Sequence, residues 1–346
     1  MVQYRYEKFI QVKKGDKVMT ELLEQTRFGY GQNDKGFHVG TKPWYSVGTE
    51  LVNKAPSIKE AINLSGLNWE VQLKDLQTDE GIKTPYKGVM RMDNNTCLGA
   101  VTSNYKPLQN IEAFNFFQEF VDNDLASLDS AGSFLNGRRT WILAKINSND
   151  MVIDEKHDDR VEKYILLSNS HDGKTAIRIG YTPIRISCMN TLVAAHKSTA
   201  SQLIKVYHRG NIVKTIYSIQ ETMNLLNQTF MATEEQYKEL AKKPVNIATL
   251  EKYINVVFSK DSLEKLLKDE TGFSQFDIEE SRRKLMDRVE EVFEMEYAHN
   301  AWTAYNAVNN YICHDRGKTQ ESGLNALWFE SGQRLNQRAF ELAKKL

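Results

Sequence analysis

No Cys-x-x-Cys pair occurs in this chain, and its three cysteines, Cys97, Cys188 and Cys313, are odd in number and far apart. That pattern argues against a disulfide framework and against a zinc knuckle, so three buried thiols are expected. No uncharged apolar run approaches the roughly 20 residues that span a bilayer, and the N-terminal MVQYRYEKFIQVKKGDK lacks the apolar centre of a signal peptide. A cytoplasmic protein without a membrane partner is expected. Also missing are a G-x-x-x-x-G-K-[ST] phosphate loop, a G-x-G-x-x-G turn, H-E-x-x-H and G-x-S-x-G. Nucleotide hydrolysis, dinucleotide redox chemistry and the usual hydrolase elbows lack their hardware, and no cofactor is expected.

Acidic residues are scarce in one stretch only. The 346 residues carry 45 basic and 45 acidic side chains, yet the balance is uneven: 20 basic and 23 acidic over 1–162, 8 and 1 over 163–214, 17 and 21 over 219–346. In the middle block the single acid is Asp172, set among Lys163, Lys174, Arg178, Arg185, Lys197, Lys205, Arg209 and Lys214. A surface of that sign would attract a polyanion; alternatively, acids of the flanking blocks fold over and pair with it.

Local patterns place these residues on elements. Ser57 with Glu60 three positions on is a capping box for a short helix, which Gly66 would end. Alternation of Leu67, Trp69, Val71 and Leu73 predicts a half-buried strand, and YKGVMRMDNNTCLGAVTSNY predicts two more about a turn at Asp93–Asn95, giving a three-stranded meander. Asn110 is placed to cap a helix that sets Ile111, Phe114, Phe117 and Val121 on one face. Asn136-Gly137 predicts a tight hairpin flanked by Arg138 and Arg139, which point to opposite faces, so at least one is exposed.

Ser170, His171 and Asp172 stand side by side in YILLSNSHDGKTAIRIGY, as if borrowed from a hydrolase. Adjacent strand residues point in opposite directions, whereas a catalytic triad converges from distant parts of a chain. Turn chemistry is the better account: Asp172-Gly173 sits where a hairpin needs positive φ, Ser170 and Asp172 cap the turn, and His171 bonds backbone or stays in water. Beyond the turn, Arg178 lies between Ile177 and Ile179, Pro183 is expected to interrupt the ladder, and Arg185 follows on the restarted strand. Asn190 would cap a short helix TLVAAHKSTA, and LIKVYHRG would be a strand with Lys205, Tyr207 and Arg209 on one face. Cations interleaved with an aromatic ring suit single-stranded nucleic acid.

Helical periodicity dominates from Asn211 onward. A long amphipathic run ends at Pro244; later stripes comprise Leu285, Val289, Val292 and Phe293, then Trp302, Tyr305, Val308 and Ile312, then Leu324, Leu327, Trp328 and Leu335. They suit a core or an oligomer interface. One enzymatic alternative is a metal-dependent nuclease using Asp154, Glu155, Asp158 or Asp159 with His157 or His171, although DEKHDD also reads as an exposed turn.

Three groups of residues carry a resemblance: ILLSNSHDGKTAIRIGYTPIRISCMNTL, then GLNWEV with YKPLQNIEAFNFF, and finally AYNAVNNYICHDRGK with LWFESGQRLNQRAFELA. Over about residues 36–346 the chain resembles the phage/plasmid-like proteins grouped as domain of unknown function 932. Members usually have Trp-His-Gly-Leu-Gly near the start, where this chain has Trp44-Tyr45-Ser46-Val47-Gly48. The resemblance implies a phage, prophage or plasmid context, and the order of strands and helix is similar to the core of phage single-strand annealing proteins.

The expected fold is α+β: a mainly antiparallel sheet of hairpins with packed helices, followed by a helical C-terminal region. The expected division is an N-terminal extension 1–35, a core 36–215 with the basic strands, and a helical region 216–346. The expected function is binding of single-stranded DNA in recombination or replication, without catalysis, through Arg138, Arg139, Lys174, Arg178, Arg185, Lys205, Tyr207 and Arg209, with the helical region building a homo-oligomer. The alternatives are a protein-binding anti-defence or scaffold module and the metal-dependent nuclease.

Overall fold

The computed structural model describes residues 36–39, 50–185, 187, 190–191, 203–223, 227–268, 282–316 and 331–346. The fold is α+β, with the described strands lying before residue 207 and most described helices after it. Strands β1 (Gly36–Val39) and β2 (Glu50–Val52) pair in parallel. Helix α1 (Ile58–Leu64) begins at the expected capping box, with Ser57 N–H donating to Glu60 Oε2 at 2.8 Å, and ends at Gly66, whose φ of 65° suits a left-handed stop.

The meander forms as expected from β3 (Val71–Gln77), β4 (Lys83–Arg91) and β5 (Thr96–Thr102), with Asn95 at φ 58° in its second turn. Its first strand starts at Val71 rather than Leu67. Leu67 N–H is bound to Ile62 C=O and Trp69 N–H to Leu67 C=O, so those residues continue the turn that closes α1. Helices α2 (Asn110–Asn115) and α3 (Gln118–Asp122) follow. Gln109, not Asn110, is the cap, through a box with Glu112, and Ile111 is exposed. The break between the two helices resets the helical period, so Phe114, Phe116, Phe117 and Phe120 fill the core instead.

Strands β6 (Ala126–Phe134), β7 (Arg139–Ile146), β8 (Met151–Asp154), β9 (Asp159–Ser170), β10 (Ile177–Arg185), β11 (Asn190–Thr191) and β12 (Ile204–Val206) complete the larger sheet. Its order is β11-β10-β9-β7-β6-β1-β2, with β12 also on β10 and β8 also on β9. The β6–β7 turn takes positive φ at Leu135, Asn136 and Gly137, a longer reversal than the two-residue turn expected from Asn-Gly. Pro183 does not interrupt β10: pairing with β9 runs from Arg178 to Arg185 through Pro183 opposite Lys163. On the other side of β10, β12 covers Ile177–Ile179 and β11 covers Ile184–Arg185, so among the described residues Pro183 faces no ladder there that needs its missing N–H.

Period-two alternation gives this sheet two buried faces. Ile142, Ala144, Ile165, Leu167, Ile177 and Ile179 pack with the buried face of α1, the phenylalanines of the α2–α3 region, the small sheet and helix α4 (Ile212–Met223). Trp141, Leu143, Leu166 and Ile184 pack with the later helices: α5 (Asn227–Ala241), α6 (Ile247–Val257), α7 (Leu263–Lys268), α8 (Arg283–Glu294), α9 (Ala301–Asn310) and α10 (Ser331–Ala343). The stripe Trp302, Tyr305, Val308 and Ile312 is buried as expected, and α9 runs on into a π-helical turn, Tyr311–Asp315. Asn190 and Thr191, the expected cap and first residue of a helix, form β11 instead, and the rest of that expected helix, Leu324, Leu327 and Trp328, Cys188 and the Trp44–Gly48 segment lie outside the described residues. Cys313 is buried, but Cys97 is exposed on β5, against expectation. Among the described residues no helix is long and apolar enough to cross a membrane.

Candidate functional site

The β9–β10 turn holds its shape by the side chains expected to cap it. Lys174 N–H donates to Asp172 Oδ1 at 3.0 Å, Ser170 Oγ donates to the same oxygen at 2.7 Å, and Thr175 N–H reaches Ser170 Oγ at 3.4 Å. Arg139, first residue of β7 and opposite Ser170 in the ladder, donates to both Ser170 Oγ and Asp172 Oδ1 from a buried position. Burial alone would raise the Asp172 carboxyl, but the Ser170 hydroxyl, the Lys174 amide and the Arg139 guanidinium outweigh it and hold the group below the ordinary carboxylate range.

His171 is not a solvated turn residue. It is fully buried, its ring tilted against Trp69 at 5.2 Å, and its Nε2 lies 3.0 Å from Asn110 Oδ1. Asn110 gives its own amide hydrogens to the Leu67 and Trp69 carbonyls, so its oxygen faces His171 Nε2, which Asn169 Nδ2 also approaches at 3.3 Å. Burial first, then the neighbouring His208, pushes His171 down to about 3, so the ring is neutral. Ser170 thus serves Asp172 while His171 turns to Asn110: the three adjacent residues do not form a nucleophilic relay.

Three other loops are tied to this turn. His171 N–H donates to Arg138 C=O at 2.8 Å, joining the β6–β7 turn. Tyr105, in the loop after β5, donates its hydroxyl to Ser170 C=O at 2.8 Å and stacks on His208 with ring centroids 4.6 Å apart. His208, in the loop after β12, faces Lys106 C=O with Nδ1 at 3.1 Å, and Lys106 N–H returns a bond to His208 C=O at 2.8 Å. Burial pushes His208 down to about 4. Around this buried polar centre the side chains of Arg138, Lys174, Lys106 and Arg209 are exposed, as is Lys205 on β12. None of these five forms an ion pair with a carboxylate among the described residues. Tyr207 is 59% exposed, and the Arg209 guanidinium lies over its ring at 5.1 Å.

Not every expected contact residue belongs to this rim. Arg139 is spent on Asp172, and Arg185 is buried far along β10, held bidentately by Asp159 at 2.8 Å and by Glu296 at 2.6 and 3.0 Å. Tyr297 and Trp302 also donate to Asp159 Oδ2, at 2.9 and 2.7 Å. Arg178 is half-buried and donates to Gln333 of α10. These three arginines therefore correct the expectation of one water-facing basic strand surface. For Arg185 the alternative expectation holds, that acids of the flanking blocks fold over and pair with these bases: Asp159 comes from near the end of the preceding block and Glu296 folds in from the helical region.

The nuclease carboxylates do not converge. Asp159 serves Arg185, Asp154 lies 3.0 Å from His157 Nδ1, and Glu155 and Asp158 are exposed in their turn. His171 sits in the Asn110 pocket instead. Among the described residues no group of three or more His, Cys, Asp or Glu could share a metal ion.

Tyr105, Lys106, Asn110 and His208 were missed as site residues. Lys106 lies outside the acid-poor block, and the pairing of Tyr105 with His208 spans about a hundred positions, so no local pattern announces either.

Among known proteins, the family described as Domain of unknown function (DUF932) matches residues 97–339 of the chain. No curated protein and no solved structure matches it.

Proposed function

The chain belongs to the DUF932 family, and from that premise we propose that it is a nucleic-acid-binding accessory protein that holds single-stranded DNA at the loop end of its larger sheet. The observation that carries this reading is the rim of exposed cations, Arg138, Lys106, Lys174 and Arg209 on loops fixed to one another by hydrogen bonds, with Lys205 on the adjoining β12. Unpaired cations on a rigid frame attract a phosphate backbone by releasing its condensed counterions, and need no nucleotide cofactor to do so. Within this reading the protein is a phage or plasmid accessory acting in the cytoplasm in recombination or replication, in the manner of strand annealing, with the helical region assembling copies.

A mobility-shift titration of single- and double-stranded oligonucleotides at two ionic strengths tests it. For single strands, log affinity should fall with log salt by roughly 0.7 per phosphate neutralised, and replacing Arg138, Lys174, Lys205 and Arg209 together with Ala should flatten that slope. An unchanged slope in the folded variant would reject the reading. A second reading, docking of a phage or host protein, draws on the β3–β4 hairpin, where Ile82 is 65% and Tyr86 51% exposed. A partner retained on nuclease-treated protein and lost on Ile82→Ser/Tyr86→Ser would favour it.

A further inference from the structure

The residues just after β12 are built more rigidly than a surface loop requires. Arg209 N–H donates to Tyr207 C=O at 2.7 Å, a one-residue reversal that brings the two side chains to the same side. Gly210 follows at φ 70°, a conformation that glycine adopts without strain. The residue between them, His208, is the anchor. Its ring is sandwiched against Tyr105, its Nδ1 meets Lys106 C=O, and its carbonyl accepts from Lys106 N–H. Two bonds and a ring stack therefore fix the backbone from which Tyr207 and Arg209 project. The Tyr207 ring stands in solvent with a guanidinium on it, Lys205 two residues before and Lys106 on the clamped loop.

Lone exposed aromatics are common and mean little by themselves. This one differs in projecting from backbone clamped by the buried His208 and Tyr105, with the Arg209 guanidinium on its ring, Lys205 nearby in the chain and Lys106 on the clamped loop, cations that among the described residues form no ion pair with a carboxylate. A pre-ordered ring loses little entropy on receiving a flat ligand, and a guanidinium already lying on a π face can stack on a second one. We propose that Tyr207 and Arg209 form a base-stacking ledge, held in place by His208, that recognises the unpaired bases of a single strand whatever their sequence, while Lys106, Lys174 and Lys205 take the phosphates. The proposal rests on the nucleic-acid reading above and adds what would make this site prefer single strands: bases in a duplex are already stacked on each other and present no free face.

The test compares three probes on the full chain: a single-stranded oligonucleotide, an abasic oligonucleotide of equal length and charge, and inorganic polyphosphate. The intact protein should bind the base-bearing strand about tenfold more tightly than the abasic one, the equivalent of one modest stacking contact. Tyr207→Ala should abolish that difference while leaving polyphosphate affinity unchanged, and Tyr207→Phe should preserve it. Because Tyr207 is exposed and its hydroxyl is not engaged by the clamp, both variants should fold, which circular dichroism checks. Equal binding of base-bearing and abasic strands by the intact protein would overturn the ledge while leaving phosphate binding standing. So would a Tyr207→Ala loss shared by all three probes. Failure of every probe to bind would remove both the ledge and the reading beneath it.

Discussion

The Tyr105 hydroxyl donates to the Ser170 carbonyl at 2.8 Å, bonding the loop after β5 to the end of β9, and its ring is stacked on His208. One side chain thus holds three segments of the rim. Burial raises the phenol far above its ordinary range, so it remains a donor at every working pH.

Tyr105→Phe should leave the Ser170 carbonyl buried without this partner while keeping the ring stack. A loss of about 1–3 kcal/mol is expected for an unsatisfied buried acceptor, read as a lower urea midpoint. Phosphate-backbone binding should weaken as well, because Lys106 and Lys174 would no longer be held in fixed relation. Full stability with full affinity would show that the loops hold together without this bond.

Acid should destabilise the site through its histidines. His171 is lowered to about 3 and His208 to about 4, in both cases first by burial, against an ordinary 6.5. Between those values the unfolded chain binds protons that the folded chain refuses, so stability rises with pH across this window and is lost as pH falls from about 6.5 toward 3. Asp172, held below its ordinary value, acts in the same direction at the acid end. Asp129 opposes them: burial, then the nearby Glu162, raises it to about 7, so it favours the folded state when protonated and withdraws that support as pH climbs from about 4 to 7. Thermal melts from pH 4 to 8 should therefore show a steeper rise for Asp129→Asn than for the parent protein. Parallel curves would mean that Asp129 is not protonated in the folded state at these pH values.

The turns of this protein were legible because turn chemistry is local. Ser170 and Asp172 cap the Gly173 reversal as their side chains foretell, and Asn95 and Asn136 adopt the positive φ that their type tolerates. One of Arg138 and Arg139 is exposed as expected, although Arg138 owes this to its place in the β6–β7 turn rather than to strand alternation. What neighbours farther off decide was not legible. His171 is taken out of water by Asn110, 61 positions away, and Arg185 is neutralised by Asp159 at 26 positions and Glu296 at 111. A count of charge over a window reports composition, whereas ion pairing is set by which strands and helices meet. The rim nonetheless emerged in part, since Lys174, Lys205, Tyr207 and Arg209 belong to the acid-poor stretch and stay at the surface.

Gly99 on β5 allows the small sheet to touch the β9–β10 turn. A Cβ there would stand 2.7 Å from Asp172 Cα and 2.8 Å from its carbonyl oxygen, and backbone cannot swing aside as a side-chain tip can. Gly99→Ala should destabilise the fold by about 1–3 kcal/mol, the usual range for overpacking, and should displace the turn that presents Lys174. Gly81→Ala is the control: its surroundings are open, so it should suffer only from its φ of 82° and leave binding intact. Equal affinity losses in the two variants would disconnect the small sheet from the rim.

Arg185 and Arg209 are the same residue type in the same acid-poor stretch, yet their replacements should fail in opposite ways. Arg185 lies under Trp302 with its guanidinium shared between Asp159 and Glu296, so it bonds the large sheet to the segment between α8 and α9. Arg185→Met strands two carboxylates, one fully buried, and a loss of about 3–5 kcal/mol is expected from uncompensated buried charge. Adding Asp159→Asn and Glu296→Gln to Arg185→Met should restore part of that stability, because the stranded charges disappear. Arg209→Met touches only an exposed ring and should alter the unfolding midpoint by no more than about 0.5 kcal/mol, while lowering affinity for a single strand. Urea unfolding of the four proteins, set beside oligonucleotide titrations below the transition, separates the two roles. An Arg185→Met protein that is stable but loses its salt slope would return Arg185 to the binding surface and refute its assignment as an internal tie.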